Sequence, residues 1–203
     1  YDATLLEVAR GHGTDVRRSR CTELLSDASG RMTGARLIDP DGNAREVHAR
    51  FVVDAGGRAS LLARKIGRRV FDPLLRNVAV YGYWRGAELA PAYSIGWDPT
   101  QIVVVSVPAG WLWYIPLAPG LVSVGVVTSH ERFQSRAHES LEDFYREHVG
   151  SSPEVAAWLA RAELVDFPGA SRRVLTEVDF NYFHECMSAP GCALVGDAAG
   201  TTV

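Results

Sequence analysis

The sequence has very little lysine and cysteine. Lys65 is the only lysine among 21 basic residues, and three cysteines occur in 203 residues. So few cysteines do not make a disulfide framework, and they are typical of a protein in the reducing cytoplasm. The formal net charge of -3 leaves no excess of basic residues that would attract nucleic acid or an anionic membrane. We therefore expect a cytoplasmic protein with no nucleic-acid or membrane partner.

Several catalytic motifs are also absent. The sequence contains no Gly-x-Ser-x-Gly, so it offers no nucleophile elbow of a hydrolase. Gly11-His12-Gly13 follows a predicted helix and precedes a predicted strand, which is the reverse of the order that a phosphate-binding glycine loop requires. His184, Cys186 and Cys192 lack an evident fourth ligand and do not have zinc-site spacing. No hydrolase, dinucleotide-loop or metal function is expected from these residues.

A stretch without charged side chains runs from Pro99 to Ser129 and is long enough to suggest a membrane helix. Prolines and glycines divide it into short runs rich in Val, Ile, Trp and Tyr, a pattern that predicts strands joined by turns. Further strands are predicted near 76–84 and 174–183, with helices near 139–149 and 153–162. The organisation we expect is a first domain over 1–72, a sheet-rich domain over 73–185, and a return to the first domain over 186–203.

Two apolar runs end in glycine-rich junctions. Phe51-Val52-Val53 leads into Asp54-Ala55-Gly56-Gly57, and Cys192–Val195 leads into Gly196-Asp197-Ala198-Ala199-Gly200. The first run has no alternation and predicts a strand buried on both faces. Ligands bind beyond the carboxyl ends of parallel strands, where small residues let a backbone approach them. Each junction alone is equally well explained as a tight turn with a helix cap.

The run Trp111-Leu112-Trp113-Tyr114-Ile115-Pro116 places two tryptophans on one face of a predicted strand. Taken alone, an aromatic core cluster explains it about as well as a functional site does. In chain order, however, the three segments together resemble the flavin-dependent halogenases. Residues 111–116 match the WxWxIP motif, residues 54–60 the mid-chain DG motif and residues 196–199 the late GD motif. Residues 71–83 and 123–127 resemble the phenol- and pyrrole-type branch rather than the tryptophan-type branch.

The resemblance implies an α/β (α+β) fold. Its parts are an incomplete FAD-binding domain of the GR2 or aromatic-hydroxylase type and a mixed β-sheet substrate domain, with the amino-terminal βαβ unit missing. The chain opens at Tyr1 without an initiator methionine, and we interpret it as a piece of a longer protein. The family's catalytic lysine lies upstream of this piece. Lys65, flanked by Arg64 and Arg68, is predicted to lie on a solvated helix face. No catalytic residue is therefore assigned, and the piece alone is expected to be inactive.

The implied reaction uses FAD that a separate flavin reductase has reduced, together with oxygen and chloride or bromide. It chlorinates or brominates a small electron-rich aromatic substrate, which some members receive tethered to a carrier protein. The active-site motif carried over comprises Trp111, Trp113, Ile115 and Pro116. The cofactor-binding positions carried over are Cys21, Ala55, Gly56, Gly57, Gly196, Asp197, Ala198, Ala199 and Gly200.

Alternatives on the same fold remain open. Gly56 stands where aromatic hydroxylases place an aspartate, which counts against the usual hydroxylase. A flavin monooxygenase or a geranylgeranyl-reductase-like oxidoreductase is nevertheless one alternative. The other, of a different class, is a flavin-binding protein without turnover.

Overall fold

The computed structural model describes residues 2–88, 101–135, 140–167, 172–178 and 180–202. In the first part of the chain the elements are α1 (Asp2–Gly11), β1 (Arg20–Ser26), β2 (Met32–Ile38), β3 (Ala44–His48), β4 (Val52–Asp54), α2 (Leu61–Ile66), β5 (Arg69–Phe71) and β6 (Asn77–Arg85). They continue with β7 (Val103–Val107), β8 (Gly110–Ala118), β9 (Leu121–Ser129), α3 (His130–Gln134), α4 (Leu141–Gly150), α5 (Pro153–Leu159), β10 (Glu163–Val165), β11 (Val174–Val178), β12 (Tyr182–His184), β13 (Ser188–Ala189), β14 (Cys192–Leu194) and β15 (Gly200–Thr201).

The chain divides into two compact units. The first contains Tyr1–Val70 and Phe183–Thr201, and the second contains Phe71–Tyr182 with the last two residues. The chain therefore leaves the first unit once and returns to it near its end. This interrupted order brings β4 and β14 together although more than 130 residues separate them in sequence.

Two small sheets organise the first unit. Strands β1, β2 and β3 form an antiparallel meander, and β14 pairs with β4 in parallel and with β13 antiparallel. In this meander residues 27–31 join β1 to β2, and residues 39–43 join β2 to β3. Asp27 shapes its first turn, since its carboxylate accepts hydrogen bonds from the backbone N–H groups of Ser29 at 2.9 Å and Arg31 at 3.1 Å.

The prediction that β4 is buried on both faces is wrong for this chain. Phe51 is 52% exposed and Val53 is 58% exposed. Val52, which points the other way, packs on a small cluster that includes Leu24 and Leu62. The meander and α2 thus cover one face of the strand. An unbroken apolar run shows that a strand is apolar, but not which of its faces this chain covers.

The second unit is built on an antiparallel sheet in the order β10-β6-β9-β8-β7, with β11 also paired to β6. Strands β7, β8 and β9 come from the charge-free stretch, so the prediction of a sheet there is confirmed. Among the residues that the structure describes, no helix has the length and apolar composition needed to cross a lipid bilayer.

Helices α4 and α5 cover one face of this sheet and bury its alternate side chains. The core on this face includes Val78, Val80, Leu112, Tyr114, Val122, Val124, Val126, Phe144, Tyr145, Val149, Val155 and Trp158. The Tyr145 hydroxyl accepts the indole N–H of Trp84 at 2.8 Å and donates to the Val124 carbonyl at 2.8 Å. Burial raises the pKa of Tyr145, so the phenol remains protonated and keeps both bonds.

Candidate functional site

The two glycine-rich junctions of the first unit lie side by side. Strands β4 and β14 are parallel, and Leu194 stands opposite Asp54 at the ends of both strands. The backbone N–H of Val195 donates to the Asp54 carbonyl at 3.1 Å, and the short 3-10 turns Gly57–Ala59 and Gly196–Ala198 contact each other. The structure therefore brings the candidate residues of both junctions to one edge of the sheet, as expected for the carboxyl ends of parallel strands.

The carboxylate of Asp54 organises the first junction. One oxygen accepts the backbone N–H of Gly56 at 2.7 Å, while the other accepts the Ser60 hydroxyl at 2.8 Å and the N–H of Leu62 at 2.9 Å. Partial burial alone would raise the pKa of Asp54, but these hydrogen bonds to the charged form outweigh it and hold the pKa below its ordinary value. Sequence reasoning did not assign Asp54. An aspartate followed six residues later by a serine at a helix N-cap was the available signal.

Two glycines leave open space on these loops. Gly57 and Gly196 both have a φ of +58°, and apart from the glycine and its two chain neighbours no atom lies within 4 Å of the position a Cβ would take at either residue. Gly56 differs, because a Cβ there would lie 2.8 Å from the Asp54 carboxylate. Ala55, Gly56 and Asp197 are exposed. The edge thus presents bare backbone and one carboxylate, a surface that another polar group can approach closely.

The remaining cofactor positions lie around this edge. Ala198 is buried in the small core, whereas Ala199 and Gly200 are half-buried. The Ala199 carbonyl accepts the backbone N–H of His184 at 2.7 Å. Cys21 is exposed on β1. Partial burial nevertheless raises the pKa of its thiol, and the negative charge of Asp54 raises this pKa further. A hydrogen bond from the thiol to the Glu23 carbonyl lowers it.

The tryptophan motif forms most of β8 in the second unit. Trp111, Trp113 and Ile115 lie on one face, as predicted from the alternation, whereas Leu112 and Tyr114 point into the core beneath the helices. Pro116 ends the regular pairing of β8, since a register shift with β9 follows it. The motif therefore presents two indoles on the sheet face opposite the helix-covered core.

Aromatic rings continue from Trp113 across this face. Its indole lies 5.8 Å from the ring of Tyr81, which is 6.1 Å from Tyr83, and Tyr83 stacks on Phe167 at 5.0 Å. Burial raises the pKa of Tyr83, with a smaller contribution from Tyr81. Sequence reasoning noted residues 71–83 as a resemblance but did not assign these tyrosines. Their alternation with Val80 and Gly82 on one strand was the available signal.

Other candidates considered from the sequence fall outside both groups. Lys65 is exposed, as predicted, and its ammonium donates to the Leu24 carbonyl at 3.3 Å. Within the described parts of the chain, no cluster of three or more His, Cys, Asp or Glu side chains could hold a metal ion. The structure thus presents one group of candidate residues in each unit, the glycine loops in the first and the aromatic face in the second.

Comparison with known proteins covers both groups of candidate residues. The family model described as tryptophan halogenase matches residues 1–199. The chain belongs to the tryptophan halogenase family. It is 32% identical over 201 residues to a tryptophan 2-halogenase of Chondromyces crocatus, covering 98% of this chain and 37% of that protein. It is 29% identical over 156 residues to a 1H-pyrrole-2-carbonyl-[peptidyl-carrier protein] chlorinase of Pseudomonas fluorescens, covering 76% of this chain and 33% of that protein.

A solved structure agrees over the whole chain. The chondrochloren halogenase of a myxobacterium, described as a variant of the FAD-dependent halogenases, superposes with a TM-score of 0.86 at 31% identity. The match covers 100% of this chain and 45% of that structure. The predicted fold class is therefore confirmed. The chain spans less than half of the family proteins it matches, so what the whole protein does is a proposal.

The first unit fits the cofactor that this family uses. A dinucleotide bound at a sheet edge needs backbone that it can approach closely. Gly57 and Gly196 leave that space open, because any other residue would place a side chain in it. Its sugar-like chain carries hydroxyl donors, and the exposed carboxylate of Asp197 is an acceptor beside those positions. The open backbone and the exposed acceptor of this edge are thus compatible with FAD.

Proposed function

We propose that the full-length protein is an FAD-dependent halogenase that chlorinates or brominates an electron-rich aromatic ring. The observation that carries this proposal is the arrangement of β8, which places both indoles of the WxWxIP motif on the sheet face opposite the helix-covered core. A motif that served only to fill the core would point its tryptophans beneath the helices, where Leu112 and Tyr114 lie instead.

In this proposal residues 1–72 and 186–203 belong to the FAD-binding domain. Gly56, Gly57, Gly196 and Gly200 let backbone approach the cofactor, and Asp197 accepts hydrogen bonds from its hydroxyls. The other contacts come from backbone near Cys21, Ala55, Ala198 and Ala199. Reduced FAD, when bound, supplies the activation of oxygen that converts a halide ion into an electrophilic halogen.

Residues 73–185 form the substrate domain in the same proposal. Trp111, Trp113 and Ile115 present an apolar, rigid wall that excludes water from the reacting groups. Tyr81 and Tyr83 extend that wall with aromatic surface that suits a planar substrate. Asp54 has an indirect role, because its hydrogen bonds fix the conformation of the first glycine loop.

The proposed partners follow from the reaction. A separate flavin reductase supplies reduced FAD. The substrate is a phenol or pyrrole rather than tryptophan, and it is presented free or on a carrier protein, as the name of the Pseudomonas chlorinase describes for that relative. We place the protein in the cytoplasm, which accords with the free thiols of Cys21, Cys186 and Cys192.

The test uses the complete open reading frame, purified and supplied with FAD, a flavin reductase and NADH. A panel of phenols, pyrroles, carrier-bound pyrrole and free tryptophan is incubated with chloride, with bromide, or without halide, and products are identified by mass spectrometry. We expect halide-dependent gain of chlorine or bromine on a phenol or pyrrole. Halogenated tryptophan would keep the reaction class and overturn the substrate branch.

Two other outcomes separate the alternatives. Hydroxylated product that does not depend on halide would identify a monooxygenase. Flavin binding without halogenated or hydroxylated product, in a full-length sequence that lacks both the opening glycine motif and the upstream lysine, would identify a flavin-binding protein without turnover.

A further inference from the structure

The indole of Trp113 is held at its polar edge. Its N–H donates to the hydroxyl of Ser123 on the neighbouring strand β9 at 3.2 Å. Ser123 is only 7% exposed, so its hydroxyl has little access to water as an alternative partner. Because the side chain torsion that turns an indole is broad, such a bond selects one orientation from several.

The same indole lies over a position without a side chain. Gly125 is directly opposite Trp113 in the β8–β9 pairing and opposite Tyr81 in the β6–β9 pairing. A Cβ at residue 125 would lie 2.3 Å from the Trp113 ring, a distance at which the two cannot coexist. Glycine inside a strand weakens the strand and often marks a close approach by another group. Here the group that approaches is an indole.

The indole also contacts the ring of Tyr81, at 5.8 Å between ring centroids and 42° between planes. Three residues therefore define the place of the indole. Ser123 bonds its nitrogen, Gly125 leaves room for its ring, and the ring of Tyr81 packs against it. Two of the three, Ser123 and Gly125, lie two residues apart on one strand and face the same side of the sheet. A strand that only completed the sheet would need neither a hydroxyl nor a missing side chain there.

We infer that Ser123 and Gly125 are positioning residues that set the orientation of the Trp113 indole, and that this orientation governs the fraction of consumed NADH that is recovered as halogenated product. The second clause rests on the proposed function, whereas the first does not. If the indole turns, the apolar wall that it forms opens, and water reaches the reacting groups from which the wall otherwise excludes it. Reducing equivalents are then lost to products other than the halogenated ring.

The test uses the full-length protein with FAD bound and with 5-fluorotryptophan incorporated. The fluorine resonance of Trp113 is assigned by its disappearance in Trp113→Phe. Ser123→Ala removes the hydroxyl, Ser123→Thr restores it, and Gly125→Ala fills the space beneath the ring. Ser106→Ala is the matched control, because Ser106 is an exposed serine on β7, which pairs with the other edge of β8. Near-ultraviolet circular dichroism checks that each variant is folded.

Two quantities are measured for each variant: the position of the Trp113 resonance, and the fraction of consumed NADH recovered as halogenated product. We expect Ser123→Ala to move the resonance and to lower the fraction about fivefold, the effect of losing one ordinary hydrogen bond. Ser123→Thr should restore both quantities, Gly125→Ala should disturb both at least as strongly, and Ser106→Ala should change neither.

An unmoved Trp113 resonance in Ser123→Ala would overturn the positioning role. A moved resonance with an unchanged product fraction would overturn the link to product formation. If the wild-type protein gives no halogenated product with either halide, the proposed function fails, and the resonance alone still decides whether Ser123 and Gly125 orient Trp113.

Discussion

The two units hold their candidate residues by different means. In the first unit the relevant strands are three residues long, and the loops after them are shaped by hydrogen bonds to Asp54 and by glycines in unusual backbone conformations. In the second unit β8 and β9 are nine residues long and are fixed by side chains packed beneath two helices. Bare backbone serves a cofactor that must approach the chain closely, whereas rigid side chains serve a wall that must keep its shape.

This contrast predicts that the second unit is the more sensitive to loss of side-chain volume. Leu112 follows Trp111 and precedes Trp113 in sequence, but it points to the opposite face of the sheet and is fully buried there. Leu112→Ala should lower the free energy of unfolding by about 2–5 kcal/mol, because the transfer energy is lost and a cavity remains. Thermal unfolding followed by circular dichroism measures the change. Val104→Ala, on the adjacent strand and 61% exposed, is the control and should have an effect within about 0.5 kcal/mol. Equal effects of the two variants would contradict the assignment of faces.

In the first unit, removal of the exposed carboxylate of Asp197 should affect binding more than folding. Asp197→Ala should weaken FAD binding to the full-length protein by roughly ten- to a hundredfold, the effect of losing a hydrogen bond to a charged group. Its unfolding temperature without FAD should change little, since Asp197 is exposed. Fluorescence titration with FAD measures the affinity. Wild-type affinity in this variant would rule out the proposed role of Asp197.

Two glycines with similar backbone conformation, one in each unit, should differ in their effect on FAD affinity. Gly196 in the cofactor loop has a φ of +58°, and Gly120 in the turn before β9 has a φ of +72°. A Cβ would meet no atom of the chain at either position. Gly196→Ala and Gly120→Ala should therefore cost a similar amount of stability, about 1–2 kcal/mol, because both force an L residue into a left-handed conformation. Only Gly196→Ala should also reduce FAD affinity, by about tenfold. Equal FAD affinity in the two variants would remove Gly196 from the proposed site.

The smallest effect concerns Asp54 and depends on pH. Because its pKa is lowered in the folded state, its stabilising contribution is complete above the unfolded pKa of about 3.9 and is lost as the pH falls through the folded value. Asp54→Asn should lower stability at pH 7 by about 1 kcal/mol, as loss of a helix cap does. The difference from wild type should narrow below about pH 4. Unfolding temperatures at several pH values measure it, with the exposed Asp41→Asn as control. A difference independent of pH would contradict the proposed role of the carboxylate.

Features that depend on neighbours in sequence were predicted well. Periodicity of two in residues 111–117 gave both the strand and the common face of Trp111 and Trp113, because successive side chains of a strand alternate. The prolines and glycines of the charge-free stretch indicated short strands joined by turns, and β7, β8 and β9 lie there. The order of the three motifs was sufficient to indicate the family.

The sequence by itself determined the family, the local elements and the residue types available at each glycine loop. The tertiary structure alone decided which side chains meet across strands, because pairing register joins residues that are far apart in the chain. It placed Tyr81, Gly125 and Trp113 on one line across three strands, and it joined Asp54 to Leu194 across more than 130 residues. It also decided that Phe51 and Val53 are exposed in this chain, since burial depends on what packs against a strand, and apolar character alone does not specify that.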